Sequence, residues 1–260
     1  MQRLTLPSER EQRLRYIREQ FPEAEGPDAV TLGGRAAAEQ AMQAIDPATY
    51  GRTRNHVRGK VTRLSMYLRH GCLTLEQVRR YALSVAKPSQ AYKLIFELAW
   101  RDFWRRLWYQ LGESALHHPI ESAKVPLGTH GLPQDIQQGQ TGLACMDAFV
   151  AELKATGYVH NHARMWFAAY CVHTRKVDWH AAADWYWCHL LDGDLASNHL
   201  SWQWVASTFS HKAYFSIARI WNAIPMENTA SAVRQSAHLM PVMKLWRKGG
   251  SRHDFHLPLA

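Results

Sequence analysis

The chain of 260 residues is short of several things, and each shortage narrows the field. It has four cysteines, Cys72, Cys145, Cys171 and Cys188, widely spread and without a C-x-x-C pair. Neither a disulfide framework nor a cysteine zinc site is expected from them. No apolar run reaches membrane-spanning length, and the N-terminus lacks the apolar core of a signal peptide. A reduced, cytoplasmic protein with no membrane contact is the expectation. Strand-like alternation never extends far, no internal repeat is visible, and no G-x-G-x-x-G follows a strand, so a Rossmann-type nucleotide site is not supported. Acids are in deficit too. Asp and Glu number 22 against 31 Lys and Arg, a formal charge of +9. Such a surplus suits a polyanion such as nucleic acid, although it also serves solubility.

What the chain has in quantity is aromatic surface: 11 Trp, 10 Tyr and 8 Phe. It also has helical periodicity. Helices are predicted over 9–20, 36–45 (stopped by Asp46-Pro47), 64–68, 75–84, 143–156, 163–174, 181–191 and 200–208. The longest covers 90–111, capped by Ser89 and ended by Gly112, and its apolar residues run almost all round. That pattern predicts a central helix. Residues 113–140 form a long irregular connection. The fold expected is all-α and a single domain: a helical extension over 1–45, a core over 46–225 and a tail over 226–260.

Four constellations can carry chemistry. The first is Asp192-Gly193-Asp194-Leu195-Ala196-Ser197-Asn198, running into Trp202-Gln203-Trp204. Carboxylates beside large aromatic surface cost free energy unless something polar lies between them, and a flat, partly charged, redox-active ring would meet that need. The second is on the long helix. Glu97, Trp100, Arg101, Trp104 and Trp108 share one face, with Glu97 either paired to Arg101 or aimed at a ligand. The third is Tyr158 to Met165 across a helix start, where Asn161 suits an N-cap and Arg164 needs a buried acid, for which Asp192 is the natural partner. His160 and His162 fall on different faces with no carboxylate to complete a site, so no metal is expected. Thr62-Arg63-Leu64-Ser65, after the basic run 52–60, offers a helix start that could bind phosphate or be an ordinary cap.

Taken in order, these pieces resemble the photolyase/cryptochrome flavoproteins. The motifs are Thr62 to Leu68, Glu97-Leu98-Ala99-Trp100-Arg101-Asp102-Phe103, Thr141-Gly142 with Asp147-Ala148, Gly157 to Met165, Asp178-Trp179 and Asp192 to Trp204, spanning roughly 50–215. The resemblance covers the helical FAD-binding domain, and it implies FAD held in a cavity of helices. By position, Tyr50, Thr62, Arg63, Leu64 and Ser65 are similar to phosphate-side residues. Trp100 resembles a cavity wall, Arg164 and Asp192 the ion pair facing the flavin, Asp194 the acid near the ribose, and Asn198 the amide beside flavin N5. Glu97, Trp100, Asn161, Met165 and Trp204 match residues that contact a flipped pyrimidine dimer, and Arg54 and His162 those that hold the DNA backbone. Trp202 and Trp179 match the inner two tryptophans of an electron-transfer chain. The implied partner is damaged DNA, duplex or single-stranded.

Departures from the pattern accompany the resemblance. An α/β antenna domain, and with it an antenna chromophore, is not expected. Leu94 replaces a stacking tryptophan, and His162 replaces an arginine. No tryptophan lies between Trp108 and Trp166 for the outer relay position, where Tyr170, Trp166, Trp185 or Trp187 would have to substitute. The ending from Tyr214 to Arg219 also diverges. Two further readings therefore stand beside light-driven dimer repair: a cryptochrome-type light- or redox-responsive flavoprotein without repair activity, and a helical protein that has lost its cofactor.

Overall fold

The computed structural model describes residues 6–22 and 31–215. The tail over 226–260 and the ending to Arg219 lie outside them, wholly or in part. Among the described residues the chain is all-α, with no strand beyond one isolated bridge, His130 to Val177.

Capping side chains set several helix starts and correct several expectations. After α1 (Arg10–Gln20) and α2 (Arg35–Gln43), Asp46-Pro47 is a start and not a stop. The Asp46 carboxylate accepts the Thr49 N–H at 2.9 Å, and Pro47 takes the first position of α3 (Pro47–Thr53), where its missing N–H has no helical partner to lose. Following α4 (Ser65–Arg69), Thr74 and Gln77 exchange hydrogen bonds in a capping box that opens α5 (Leu75–Val85). The long helix α6 (Pro88–Leu111) begins before Ser89, again with proline in its first turn, while Gln90 accepts the Lys87 N–H at 3.2 Å.

The short helices α7 (Ser114–His117) and α8 (Gln134–Gln138) fall within the connection that reads as irregular. Next come α9 (Ala144–Thr156) and α10 (Asn161–Ala169), the latter running into a π-helical turn (Tyr170–Thr174). The cap of α10 is His160, which accepts the His162 N–H at 3.1 Å, so Asn161 is its first helical residue. Asp178 caps α11 (Trp179–Cys188), and Asp194 caps α12 (Leu195–Ala206) by accepting the Ser197 N–H at 3.0 Å. That carboxylate starts α12 five residues before the apolar periodicity alone suggests.

The central helix is α12 and not α6. Eight of its twelve residues are buried, Asn198, His199 and Gln203 among them. It packs on α6, α7, α10 and α11. These three polar side chains are partnered: Asn198 Nδ2 donates to Ala183 O (2.9 Å), His199 Nε2 meets Asp184 (2.8 Å), and Gln203 binds Ala115 O and the Ile120 N–H. By contrast α6 leaves Tyr92, Phe103, Tyr109 and Leu111 exposed, because α3, α5, α7 and α12 cover only part of its circumference. The main core lies among α9 to α12, where Phe149, Leu153, Phe167, Tyr186 and Trp202 interlock. Each such side chain contributes about 1.5–3 kcal/mol by leaving water.

Candidate functional site

The turn Asp192-Gly193-Asp194 is the centre of the site. Gly193 sits at φ 52°, a conformation open to glycine, and so reverses the chain between two carboxylates. Asp194, buried, caps α12 and also accepts Arg101 Nη1 from α6. Asp192, equally buried, lies 3.8 Å from Arg101 Nη2 and 3.7 Å from Arg164 Nη1, at the loose limit of an ion pair. Its Oδ1 has no hydrogen-bond partner, and neither do the buried hydroxyls of Ser65 and Ser197. The expected contact of Arg164 with Asp192 is thus present only loosely, since Arg164 Nε is committed to Val159 O at 2.7 Å. The i, i+4 pairing of Glu97 with Arg101 does not form. Arg101 reaches acids about 90 positions away because α12 packs against α6, a role no local pattern announces.

A second segment closes on this turn. Leu191 N–H donates to Gly157 O at 2.9 Å, and a Cβ on Gly157 would stand 2.8 Å from Leu191 Cβ, so only glycine permits the approach. The Tyr158 ring then lies beneath two guanidiniums, Arg63 at 4.8 Å and Arg164 at 5.5 Å. The sequence motif contains Tyr158 but assigns it no function. Arg63, at φ 52°, occupies a backbone region sparse for side-chain-bearing residues. From α4, Arg69 and His70 bond Gly193 O and Leu191 O at 3.4 and 3.0 Å. Alongside, Arg58, Lys60, Arg63, Glu152, Tyr158 and His160 line a cavity of about 400 Å³ with three cations to one acid. Thr62 to Ser65 therefore stand between a basic cavity and the acid turn.

The fit of a dinucleotide cofactor rests on these unfinished bonds. A buried polar atom without a partner costs roughly 1–3 kcal/mol. Asp192 Oδ1, with two arginines only loosely against the other oxygen, calls for a donor, and the basic cavity beside the turn suits an anionic portion. Among the described residues, this is a donor and acceptor set that FAD could complete.

Glu97 belongs to a neighbouring cluster. Its carboxylate meets Arg54 Nη1 at 2.8 Å across the α3–α6 contact. Burial pushes the Glu97 carboxyl above its usual range, with Arg54 and Lys93 opposing. Tyr50, on the same side of α3 as Arg54, is also pushed up, first by burial and then by the Glu97 charge. Leu94 is buried among Ala82 and Ala91, with Tyr50 against it, and so packs α5 on α6. Trp100 stands in a run of rings along α6 with Phe96, Phe103 and Trp104, at centroid separations of 5.3–6.1 Å.

The remaining residues are spread around α10 to α12. Asn161 Nδ2 approaches Met165 Sδ at 3.8 Å at the exposed end of α10, and the His162 ring lies 6.3 Å from Trp166. Trp204 packs on Tyr214 at 5.3 Å. Trp202 and Trp179 are both buried. Trp202 touches Tyr186 at 5.9 Å and Phe167 at 6.4 Å, and both of those rings touch Trp185. Of the four substitutes considered for the outer relay position, Trp185 is the one joined to Trp202 through these two rings.

Comparisons with known proteins agree with this architecture. The sequence model of the family described as the FAD binding domain of DNA photolyase matches residues 94–232. A deoxyribodipyrimidine photo-lyase of Halobacterium salinarum is 33% identical over 201 residues, covering 72% of this chain and 41% of the relative. A cryptochrome DASH of Gloeobacter violaceus is 33% identical over 172 residues, covering 61% and 33%. Among solved structures, a Synechocystis cryptochrome superposes with a TM-score of 0.66 at 26% identity, over 87% of this chain and 50% of that one. A class III photolyase from Agrobacterium tumefaciens shares the fold with a TM-score of 0.65 at 20% identity, over 88% and 48%. The chain thus spans half or less of the length of these relatives. No helix among the described residues is long and apolar enough to cross a membrane.

Proposed function

We propose, from the premise that this chain belongs to the photolyase/cryptochrome family and carries its FAD-binding domain, that it repairs pyrimidine dimers in DNA under blue light. Reduced FAD, when bound, would supply the photoexcited electron that opens the cyclobutane ring of a dimer.

The chain's own groups divide the remaining work. Arg164 and Arg101 hold Asp192 and Asp194 in place, leaving Asp192 Oδ1 to accept from the cofactor. Asn198 has its amide N–H group tied to Ala183, so its carbonyl oxygen is what it offers beside flavin N5. Ser65 and the Thr62 to Leu64 backbone would take the phosphate side, together with Tyr50. Arg54 orients Glu97, and the Glu97 carboxyl, raised by burial, offers a hydrogen bond to the extruded bases while Trp100, Met165 and Trp204 give them apolar surface. Asn161 and His162, at the exposed end of α10, contact the DNA strand. Trp202 and Trp179 carry electrons inward, with Trp185 in the outer position.

The observation that carries this reading is the Glu97–Arg54 pair. A half-buried carboxylate bonded across a helix contact, beside the rings of α6 and not paired on its own helix, supports a role toward a ligand. The test is direct: a dimer-containing oligonucleotide, reduced protein and blue light. Dimer loss in light, absent in the dark and strongly reduced in Glu97→Gln, is expected; light-independent loss would sink the reading. Photoreduction of bound flavin with no dimer loss would instead establish the cryptochrome-type reading. That alternative is favoured by one feature, the burial of Leu94 where a stacking ring would stand.

A further inference from the structure

We propose that His180, Asp184 and His199 bind one divalent transition-metal ion where α11 meets α12. Nothing in the sequence groups these residues, and the histidines considered there, His160 and His162, lie elsewhere. His180 and Asp184 share a face of α11 at i and i+4, and the packing of α12 on α11 brings the fully buried His199 against them.

The ligating atoms all lie within 4.8 Å of one another. His180 Nδ1 stands 3.5 Å from Asp184 Oδ2, and His199 Nε2 stands 2.8 Å from Asp184 Oδ1. A tetrahedral zinc ion with bonds near 2.1 Å has ligand–ligand edges of about 3.4 Å. Closing the site therefore needs side-chain adjustment only, and the mobile member is available, since the Asp184 side chain is 48% exposed.

Supporting bonds are in place for both imidazoles. His199 Nδ1 lies 3.2 Å from Leu195 O and Nε2 lies 2.8 Å from Asp184 Oδ1; when an ion replaces the proton between Nε2 and Asp184, donation from Nδ1 to Leu195 O keeps the Nε2 lone pair turned toward it. His180 Nε2 lies 2.8 Å from His117 Nδ1, and donation along that bond leaves His180 Nδ1 free for the ion. Metal-bound histidines nearly always have such a partner on the far nitrogen. His117 is held there by Gln203, which binds Ala115 O and His118 O on either side of it. Two imidazoles and one carboxylate form a donor set suited to zinc-class ions, with solvent reaching the site past Asp184 to fill the remaining position. The inference does not depend on the flavin reading, because none of these residues has been assigned to the cofactor.

The test uses tag-free full-length protein with its native flavin content, stripped with a chelator and titrated with Zn²⁺ by calorimetry. One saturable Zn²⁺ per chain is expected. Asp184→Asn and His180→Ala, at partly exposed positions, should each weaken binding by about tenfold or more, and together abolish it, with helical circular dichroism unchanged. His211→Ala, an exposed histidine elsewhere, should leave the titration as it was. Absence of a one-per-chain site, or Asp184→Asn and His180→Ala proteins that bind as the parent does, would overturn the proposal.

Discussion

Two arginine–aspartate contacts, both between residues far apart in sequence, behave in opposite ways. Arg175, just after the π-helical turn, grips Asp135 of α8 with a complete fork, Nη1 to Oδ2 at 2.8 Å and Nη2 to Oδ1 at 3.1 Å, and adds Tyr170 Oη at 2.9 Å. Hydrogen bonds from Arg175 pull the Asp135 carboxyl below its usual range. Arg101 and Arg164 face Asp192 at 3.7–3.8 Å and leave one of its oxygens without any bond, although this is the more buried group. Burial ought to demand the better geometry, because an incompletely bonded charge is costlier where water is excluded. The contrast teaches that the finished fork ties the α8 segment to the core, whereas the unfinished cluster keeps a buried acceptor open, as the proposed cofactor site requires.

The sharpest way to break this comparison is to remove each acid in turn. Asp192→Asn should lower the flavin content of purified protein by on the order of tenfold, read as blue absorbance per chain, because charge-assisted bonds are the strong ones. Asp135→Asn should leave flavin content at the parental level. Equal flavin loss in both would show that the two contacts do the same work. Next in size, Glu97→Gln should keep its flavin yet lose dimer repair by about tenfold or more, the order expected when a hydrogen bond to developing charge is disturbed; unchanged repair would remove Glu97 from the lesion site.

Acid should act on folding through the buried histidines. Burial, the largest influence on each, holds the imidazoles of His160 and His173 below the ordinary 6.5. The unfolded chain therefore binds protons that the folded chain does not, so stability is full above about pH 6.5 and falls as pH drops below it. The melting temperature should decline from pH 7 to pH 5; an unchanged melting curve over that window would contradict the burial of these rings. The smallest effect is the stability cost of Asp135→Asn. With the pair partly exposed, about 0.2–1 kcal/mol is expected, measured by denaturant unfolding.

Much of this architecture is legible along the chain. The absence of strand alternation and the spacing of apolar residues specify an all-α fold, and the local acids Asp46, Asp178 and Asp194 start helices by capping, a signal that can be read within four residues. Two of those acids are nevertheless easily missed. Asp46-Pro47 resembles a terminator until its own helix is seen, and Asp194 starts α12 ahead of the apolar stripe. Apolar residues running almost all round α6 predict a central helix, but composition does not count how many neighbours cover a surface.

The sequence by itself determined which chemical groups the site contains: the acid–glycine–acid turn, the arginines, the serines, the indoles and the asparagine, in the order of a known family. Only the tertiary structure decided who meets whom. It gave Arg101 to Asp194 in preference to Glu97, Glu97 to Arg54, and His199 to Asp184. The reason is physical. Local bonds such as caps depend on neighbours in the chain, whereas an ion pair or a metal site depends on how two helices cross. That crossing is set by the packing of the whole core.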